Sequence, residues 1–427
     1  MRLVADLHIH GRYARATSKD LTIPNLEKWA RIKGIGLLGT GDFTHPLWLK
    51  ELKESLVEEN GILRTKSGMP FVLQTEISLI YNQKGKGRRI HNIVLAPSFR
   101  VVEEINVQLS KKGRLDYDGR PMFGISCPSF VELMKEIDDR IEIIPAHAWT
   151  PWFSLFGSMS GFDSLKECFE DRTKDIHAIE TGLSSDPAMN WRISQLDNVS
   201  ILSFSDSHSY WPWRIGREVT VFDVNEISYD ELIKAIRCKK VIETIEFFPE
   251  EGKYHYDGHR NCGVCLSPKE TAALKKICPK CAKPVTIGVA HRVEELADRP
   301  EGYKPDGAAD YKKLIPLSEL IAGIMGSAVY SKKVWQIYNK LIERFGTEFA
   351  VLISARPEEL TALVDEKIVN AILANREQRI TFKPGFDGEY GKPILDAIQI
   401  RVSKEQTSKS NQKAIFSDSQ TSLNSFS

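Results

Sequence analysis

Five short apolar segments in the first half of the chain each carry a metal-type ligand at or near one end. They are Asp6-Leu7-His8-Ile9-His10, Thr40-Gly41-Asp42, Thr75-Glu76, Pro145-Ala146-His147 and Ser205-Asp206-Ser207-His208. Side chains two residues apart on a strand point to the same face, so the two histidines of the first segment can reach one ion together. Because the segments are far apart in the chain, only a closed or strongly curved sheet would bring them together.

The residue types in these segments indicate what kind of metal site they would form. A mixed cluster of His, Asp and Glu without Cys suits hydrolytic divalent metals such as Zn, Mn or Mg, rather than a closed structural zinc site. His91, at the start of another apolar run, would complete the set. The candidate ligands are His8, His10, Asp42, Glu76, His91, His147, Asp206 and His208.

Strand and helix patterns alternate through residues 1–250. Apolar strands such as Ile35–Leu38 and Glu142–Pro145 alternate with helical stretches such as Ile23–Lys33 and Ser129–Asp138. Repeated strand-then-helix segments predict a parallel sheet or barrel. In such barrels the active site lies at the carboxyl ends of the strands, where most of the candidate ligands fall.

Length and composition exclude some classes of protein. A chain of 427 residues is long enough for two or three domains, and its net charge of +1 neither indicates nor excludes nucleic-acid binding. No apolar run approaches the roughly 20 residues that a membrane span needs. The first ten residues read as a ligand-bearing strand rather than a signal peptide, so we expect a cytoplasmic protein without a membrane partner.

Residues 251–302 change character and contain two paired cysteine motifs. Cys262 and Cys265 form the first C-x2-C pair, and Cys278 and Cys281 form the second. Two such pairs at this separation predict a zinc-ribbon-like module, with all four thiolates on one structural zinc.

The last third of the chain has mainly helical spacing. Residues 303–403 predict a helical domain, and residues 404–427, rich in Ser, Lys, Gln and Thr, predict a disordered tail. The predicted helices are Leu317–Tyr330, Lys332–Phe345, Phe349–Ser354, Pro357–Leu363 and Glu366–Gln378.

The ligand motifs resemble those of the PHP (polymerase and histidinol phosphatase) phosphoesterases. With the paired cysteines, the segment Gly288–Gly302 and the helical domain added, the chain resembles the endonuclease Q family over about residues 1–400. This resemblance implies a distorted seven-stranded PHP-type α/β barrel with a two- or three-metal site, followed by the zinc-ribbon-like module and the C-terminal helical domain. Asp42 stands where many relatives have a histidine.

The resemblance also implies an activity. The family nicks DNA 5′ to deaminated bases (hypoxanthine, uracil, xanthine) and at abasic sites, so we expect a DNA-repair endonuclease that uses metal-activated water. Asp206, Glu76 and His147 are the expected catalytic residues. The expected cofactors are Zn²⁺, structural and also catalytic, and Mg²⁺ or Mn²⁺ at the catalytic site. Two alternatives stay open: a PHP phosphatase acting on a small phosphomonoester, and a non-catalytic DNA-repair scaffold.

Two kinds of segment near the ligands are candidates for DNA contact. The loops that follow His147 and His208 are rich in aromatic residues, which could stack on a flipped base or simply cap the barrel mouth as core. A basic segment before His91 could bind backbone phosphates or be a solvated hairpin tip. The candidate contacts are Trp149, Trp152, Tyr210, Trp211, Arg214, Lys86, Arg88 and Arg89.

The end of the tail fits the pattern of a sliding-clamp-binding peptide. Gln420 is followed by Leu423 three residues later and by Phe426 three residues after that. Such peptides insert the aliphatic and aromatic side chains into a pocket of the clamp. In a repair enzyme this pattern predicts binding to the clamp PCNA.

Overall fold

The computed structural model describes residues 1–395 as a mixed α/β fold. The described strands are β1 (Arg2–Asp6), β2 (Leu37–Gly39), β3 (Val57–Glu59), β4 (Ile62–Arg64), β5 (Pro70–Gln83), β6 (Lys86–Ala96), β7 (Met122–Phe123), β8 (Glu142–Pro145), β9 (Ala178–Glu180), β10 (Ser200–Leu202), β11 (Val219–Asp223), β12 (Val241–Glu246), β13 (Asp257–His259), β14 (Val264–Leu266), β15 (Asp310–Lys313), β16 (Thr381–Lys383) and β17 (Lys392–Ile394).

Helices cover the sheet and build most of the last described third of the chain. The α-helices are α1 (Ile23–Lys33), α2 (Pro46–Ser55), α3 (Phe99–Ser110), α4 (Cys127–Ile137), α5 (Leu165–Phe169), α6 (Pro187–Asn190), α7 (Tyr229–Arg237), α8 (Pro268–Ala273), α9 (Val289–Leu296), α10 (Leu317–Met325), α11 (Lys332–Phe345), α12 (Pro357–Thr361) and α13 (Glu366–Arg376). None of these described helices is both long and apolar enough to cross a membrane.

The central sheet has eleven strands and is branched. Its main path runs β15-β12-β11-β1-β2-β5-β4-β3, while β6 pairs with β5 and β8, and β7 pairs with β5. Neighbours are parallel across β1-β2-β5 but antiparallel at β1-β11 and β5-β6. The pair β9-β10 forms a separate two-stranded parallel sheet. The observed sheet is therefore mixed, and its ladders differ from both the predicted parallel sheet and the predicted ring of seven strands.

Helix α1 illustrates how local sequence sets an element. Thr22 is extended before the helix and Pro24 lies in its first turn, where the missing N–H costs nothing. Gly34 ends the helix in the left-handed conformation at φ 100°, which lacks a steric penalty only for glycine. Between these ends Leu26 and Ala30 are buried against the sheet. The helix predicted from the sequence is confirmed at both ends.

The long hairpin β5–β6 brings two candidate ligands together by register alone. Lys84 and Gly85 both have positive φ at its tip, as a tight two-residue turn requires. Ser78 lies opposite His91, and Glu76 lies two residues before Ser78 on the same face. Glu76 and His91 are therefore diagonal cross-strand neighbours.

The C-terminal helical segment is tied to the sheet. Strand β15 pairs in parallel with β12, so part of the predicted helical domain belongs to the central sheet. The predicted helix Lys332–Phe345 is confirmed as α11, whereas the helix predicted to reach Tyr330 ends at Met325 because Gly326 adopts the left-handed conformation. The segment Ala350–Ser354 forms a π-helical turn.

One buried ion pair joins the C-terminal helical segment to helix α1. Nζ of Lys33 donates to Oε1 of Glu348 at 2.7 Å and to the carbonyl of Pro212 at 2.8 Å. Glu348 also accepts from the backbone N–H of Leu317 and from the hydroxyl of Tyr338. The tail 404–427, with the clamp-binding pattern at Gln420, Leu423 and Phe426, lies outside the described residues.

Candidate metal centre

The first and last ligand segments lie side by side. Ile9 and Ser207 form a parallel bridge, and the N–H of His10 donates to the carbonyl of Ser207 at 2.9 Å. This pairing places the His8–His10 segment against the Asp206–His208 segment. The sequence predicted that these two ligand-bearing segments would lie close together.

Seven of the eight predicted ligands fall into three overlapping groups. Within each group, all ligand atoms lie within 4.8 Å of one another. His10 belongs to two groups and so does Glu76, which makes the three groups one continuous centre. The groups are His8, His10 and Glu76; Glu76, His91 and His147; and His10, Asp206 and His208.

Glu76 occupies the middle of this centre and is fully buried. Its Oε1 lies 2.7 Å from Nδ1 of His91 and 3.1 Å from Nε2 of His147, while its Oε2 lies 3.4 Å from Nε2 of His10. Its two oxygens thus face different groups. A carboxylate in this position can bridge two cations.

Two observations test whether a metal ion fits these residues. Nε2 of His8 is buried and has no hydrogen-bond partner among the described residues, although a buried nitrogen normally has one. Nδ1 of His91 and Nε2 of His147 lie 3.3 Å apart. That separation is about the edge of a tetrahedron around an ion with nitrogen ligands at about 2.0–2.1 Å. The donor set therefore fits a divalent cation.

Two carboxylates hold histidines from behind. Oε1 of Glu180 lies 2.9 Å from Nδ1 of His8, and Oε2 of Glu180 accepts from the backbone N–H of His147. Oδ1 of Asp42 lies 3.0 Å from Nδ1 of His10. Such pairs fix the ring orientation and leave the opposite nitrogen for a metal. Glu180, at the end of an apolar strand, was not among the predicted ligands.

The structure places Asp42 behind His10 rather than in one of the three groups. Its second oxygen accepts from the backbone N–H of Gly11, so both oxygens are engaged. A carboxylate at a strand end can serve a metal directly or through a histidine, and the direct role of Asp42 stays a prediction.

The electrostatics of the centre favour a cation. Burial disfavours a charged ring at His8, but Glu180 and Asp206 outweigh it and raise the pKa of His8 well above its usual value. For Glu76, burial is outweighed by His91 and Arg120, which hold its pKa well below the usual range. A divalent cation competes with protons for the same ligand atoms and is attracted by the same carboxylates.

Three residues of the centre have positive φ although they are not glycine. Asp42 has φ 39°, His147 has φ 31° and Asp206 has φ 46°. Such conformations are uncommon for residues with a Cβ and cluster at functional sites, where surrounding contacts hold them.

Arg120 is a further residue that the sequence patterns did not reveal. Its Nη1 donates to Oε2 of Glu76 at 2.9 Å. It lies in the segment between α3 and β7, well away in the sequence from any ligand motif. No residue spacing around it indicates that it belongs to the centre.

The second metal module differs from the prediction in one ligand. The group consists of His259, Cys262, Cys278 and Cys281, and Nδ1 of His259 lies 3.3 Å from Sγ of Cys281. Cys265 lies on β14 opposite Gly258 and is not part of the group. The prediction of four cysteine ligands is therefore corrected to three cysteines and one histidine.

The corrected set has a regular local geometry. His259 and Cys262 are three residues apart, as are Cys278 and Cys281, and each pair is followed by a residue with positive φ, Gly263 or Ala282. Burial opposes ionisation of Cys278, but N–H groups of Lys280 and Cys281 lower its pKa to about 6. In the sequence, the H-x2-C spacing of His259 and Cys262 was the signal that could have revealed His259 as a ligand.

Two curated proteins match along this chain. The uncharacterized protein YqxK of Bacillus subtilis is 31% identical over 411 residues, which cover 92% of this chain and 99% of that protein. The uncharacterized protein MJ0043 of Methanocaldococcus jannaschii is 35% identical over 303 residues. That match covers 69% of this chain but spans only 36% of the length of MJ0043.

Two crystal structures match 92% of this chain at 33% identity. One is the lesion-specific endonuclease PfuEndoQ from Pyrococcus furiosus, matched over 95% of its chain with a TM-score of 0.82. The other is endonuclease Q in complex with a 27-mer duplex substrate carrying an abasic lesion at the active site, matched over 96% with a TM-score of 0.83. The chain belongs to the endonuclease Q family. In addition, a family model described as the MJ0043 C-terminal domain matches residues 316–379, which hold α10 to α13.

In this member of the endonuclease Q family, the aromatic loops divide into core and surface. Trp149 is 1% exposed, and its indole N–H donates to Asn190, so its predicted role in DNA contact is wrong. Trp152 is half-buried and meets Tyr254 edge to face at 5.5 Å. This contact joins the loop after His147 to the segment that begins the zinc-type module.

The loop after His208 is packed on the helical segment. Trp211 stacks on Trp213 at 5.0 Å and lies 5.7 Å from Trp335 of α11. Nη1 of Arg214 lies 3.3 Å from Oε1 of Glu319 in α10. Tyr210, Trp211 and Arg214 are all half-buried, so each keeps an exposed portion.

The basic segment is the tip and arm of the β5–β6 hairpin. Lys86 and Arg89 are exposed, whereas Arg88 stacks on Phe162 at 3.9 Å and donates to the carbonyl of Gly161. Lys86 lies five positions from His91, about 17 Å along the strand. Arg89 lies over the ring of Phe153, which itself packs on His91, and is thus nearer the centre.

Proposed function

We propose that this protein is a DNA-repair endonuclease that hydrolyses the phosphodiester 5′ to deaminated bases (hypoxanthine, uracil, xanthine) and abasic sites. The observation that carries the proposal is the continuous ligand centre in a chain that matches, over 92% of its length, an endonuclease Q bound to a duplex with an abasic lesion at its active site. We further propose that the metal-bearing part is of the PHP type.

The same centre supports the proposed cofactors. Two or three ions of Zn²⁺, Mg²⁺ or Mn²⁺ would be held by His8, His10, Glu76, His91, His147, Asp206 and His208. Bound there, such ions lower the pKa of water and stabilise the charge that develops in phosphodiester hydrolysis. Glu180 and Asp42 would orient His8 and His10, and Glu76 would hold two groups together. The three cysteines and His259 would hold a structural zinc.

The surfaces around the centre support a duplex substrate. A base can be reached only outside the stack, and half-buried aromatics beside the centre, such as Trp152 and Trp211, are suited to stack on it. Exposed Arg89 and Lys86 would contact backbone phosphates on the hairpin side. The clamp-like tail at Gln420, Leu423 and Phe426 remains a prediction for PCNA, as does the domain division at residues 250 and 302.

The alternatives carry less support. A phosphatase for a small phosphomonoester would not need the module of residues 251–302 or the helices that the endonuclease Q structures share over the same span. A non-catalytic scaffold would not need Nε2 of His8, which is buried without a hydrogen-bond partner in the described part of the chain.

A nicking assay tests the proposal. The purified protein, with Mg²⁺ or Mn²⁺, is incubated with labelled duplexes that contain one inosine, one uracil, one abasic site or no lesion. We expect a nick 5′ to the lesion that Asp206→Asn abolishes and that Asp171→Asn, an exposed aspartate away from the centre, leaves unchanged. Equal activity of Asp206→Asn and the wild type would refute the assignment. Turnover of a small phosphomonoester without any lesion-dependent nick would favour the phosphatase.

A further inference from the structure

Arg120 forms an ion pair with a ligand of the metal centre. Among the ion pairs of residues 1–395, it is the one arginine or lysine that pairs with a ligand of the centre, and the other partners of Glu76 and Asp206 are histidines. A guanidinium stays charged at any pH at which a protein functions. The centre therefore carries one fixed positive charge besides any metal.

Most hydrogen-bonding capacity of this guanidinium is unused. A guanidinium has five N–H donors, and that of Arg120 makes one hydrogen bond to the described residues, from Nη1 to Oε2 of Glu76. Its side chain is 30% exposed, whereas the Glu76 side chain is fully buried. The guanidinium thus contacts a buried ligand through Nη1, while part of the side chain stays accessible to solvent.

The backbone on both sides of Arg120 is anchored to the strands that carry the ligands. Asp118 is buried and accepts from the N–H of Arg120 and of Arg15. The carbonyl of Pro121 accepts from the N–H of Ser78 on β5, at 3.0 Å. Gly119 packs so closely on Asp42 that a Cβ there would overlap the carboxylate. This anchoring fixes the position of the guanidinium before any substrate binds.

We propose that Arg120 is a further catalytic residue that binds a non-bridging oxygen of the scissile phosphate, an inference that rests on the proposed function of the centre. Arginine suits this role because its planar fork matches phosphate oxygens and can make two parallel hydrogen bonds. The non-bridging oxygens gain negative charge as water attacks, so a fixed cation beside them stabilises the transition state. Glu76 holds one end of the fork and leaves the other for phosphate.

Phosphate binding tests this role without relying on nicking. The affinity of the Mn²⁺-saturated protein for inorganic phosphate is measured by calorimetry for the wild type, Arg120→Gln and Arg120→Lys. Arg114→Gln is the matched control, because Arg114 lies in the same segment but is exposed and pairs with Asp116. We expect Arg120→Gln to weaken phosphate binding by about ten- to a hundredfold, Arg120→Lys to weaken it less, and Arg114→Gln to leave it unchanged.

The alternative is that Arg120 only neutralises buried Glu76, and two results would establish it. One is unchanged phosphate affinity of Arg120→Gln at saturating Mn²⁺, whether or not the variant binds metal more weakly. The other is an unchanged effect of a phosphorothioate at the scissile position. In the wild type, sulfur at the contacted oxygen should slow nicking, and this penalty should disappear in Arg120→Gln. If the wild type does not nick lesion DNA, the proposed function fails, while the calorimetry still decides whether Arg120 binds phosphate.

Discussion

Glu180 and His8 form a buried carboxylate–imidazole pair in which Oε1 lies 2.9 Å from Nδ1. The opposite nitrogen, Nε2, faces Glu76 and Asp206 at 3.9 and 3.6 Å and makes no hydrogen bond within residues 1–395. The pair therefore fixes the ring with its free nitrogen aimed at the metal groups.

Removing the carboxylate of this pair should weaken metal binding. Glu180→Ala frees the His8 ring, and the loss of such a partner typically costs 10- to 100-fold in metal affinity or activity, so we expect a decrease of about that size. Metal content after dialysis, measured by mass spectrometry, checks this. Glu142→Ala is the matched control, because Glu142 pairs with His177 at the same 2.9 Å but His177 is outside the metal groups. Equal metal content in Glu180→Ala and Glu142→Ala would contradict the role of Glu180.

The second module allows a sharp comparison between neighbouring cysteines. We expect Cys262→Ser to lose the bound zinc and Cys265→Ser to keep it, because only Cys262 lies with the other ligand atoms. His259→Ala should also lose zinc. The measurement is the zinc-to-protein ratio together with the melting temperature. Retention of zinc by His259→Ala and its loss from Cys265→Ser would restore the four-cysteine site.

Glu246 should make stability depend on pH. Burial raises its pKa to about 8, against an ordinary value of 4.5, while hydroxyls of Thr244, Ser203 and Thr181 oppose the shift only in part. Because the folded protein holds this proton more tightly than the unfolded chain, the stabilisation is complete below about pH 4.5. It is lost as the pH rises towards 8.

A substitution isolates this contribution. We expect Glu246→Gln to flatten the fall of the unfolding free energy between about pH 5 and pH 8, by a few kcal/mol at most. Glu226→Gln, at an exposed position, should leave the profile of the wild type unchanged. Parallel profiles for wild type and Glu246→Gln in denaturant titrations would show that Glu246 is ionised in the folded state.

Breaking the buried pair Lys33–Glu348 should strongly destabilise the protein. Glu348→Ala leaves Lys33 buried without its partner and frees the N–H of Leu317 and the hydroxyl of Tyr338. Breaking such a pair costs about 3–5 kcal/mol, which chemical denaturation can measure. Glu343→Ala, at an exposed position of α11, should change stability by less than about 0.5 kcal/mol. Similar values for both variants would show that water replaces the lost partner.

Sequence patterns predicted the features that depend on near neighbours in the chain. The strand Glu142–Pro145 was confirmed, and so were helices α1 and α11, whereas the strand predicted through His8 and His10 ends at Asp6 and only Ile9 forms an isolated bridge. Alternation on a strand and helical periodicity are local properties, so they can be read without knowing what packs against them. Seven of the eight proposed ligands were found for the same reason, since each stands in or beside a short apolar segment, although their meeting is a matter of tertiary packing.

The sequence by itself therefore determined the ligand-bearing segments, the metal type they suit, and a paired-cysteine module. Only the tertiary structure placed the carboxylates of Asp42 and Glu180 against His10 and His8. It also decided that His259 replaces Cys265 and that Trp149 is core. The physical reason is that these roles depend on contacts between distant residues, such as the 172 positions between His8 and Glu180. No local pattern records which residues such long-range packing brings together.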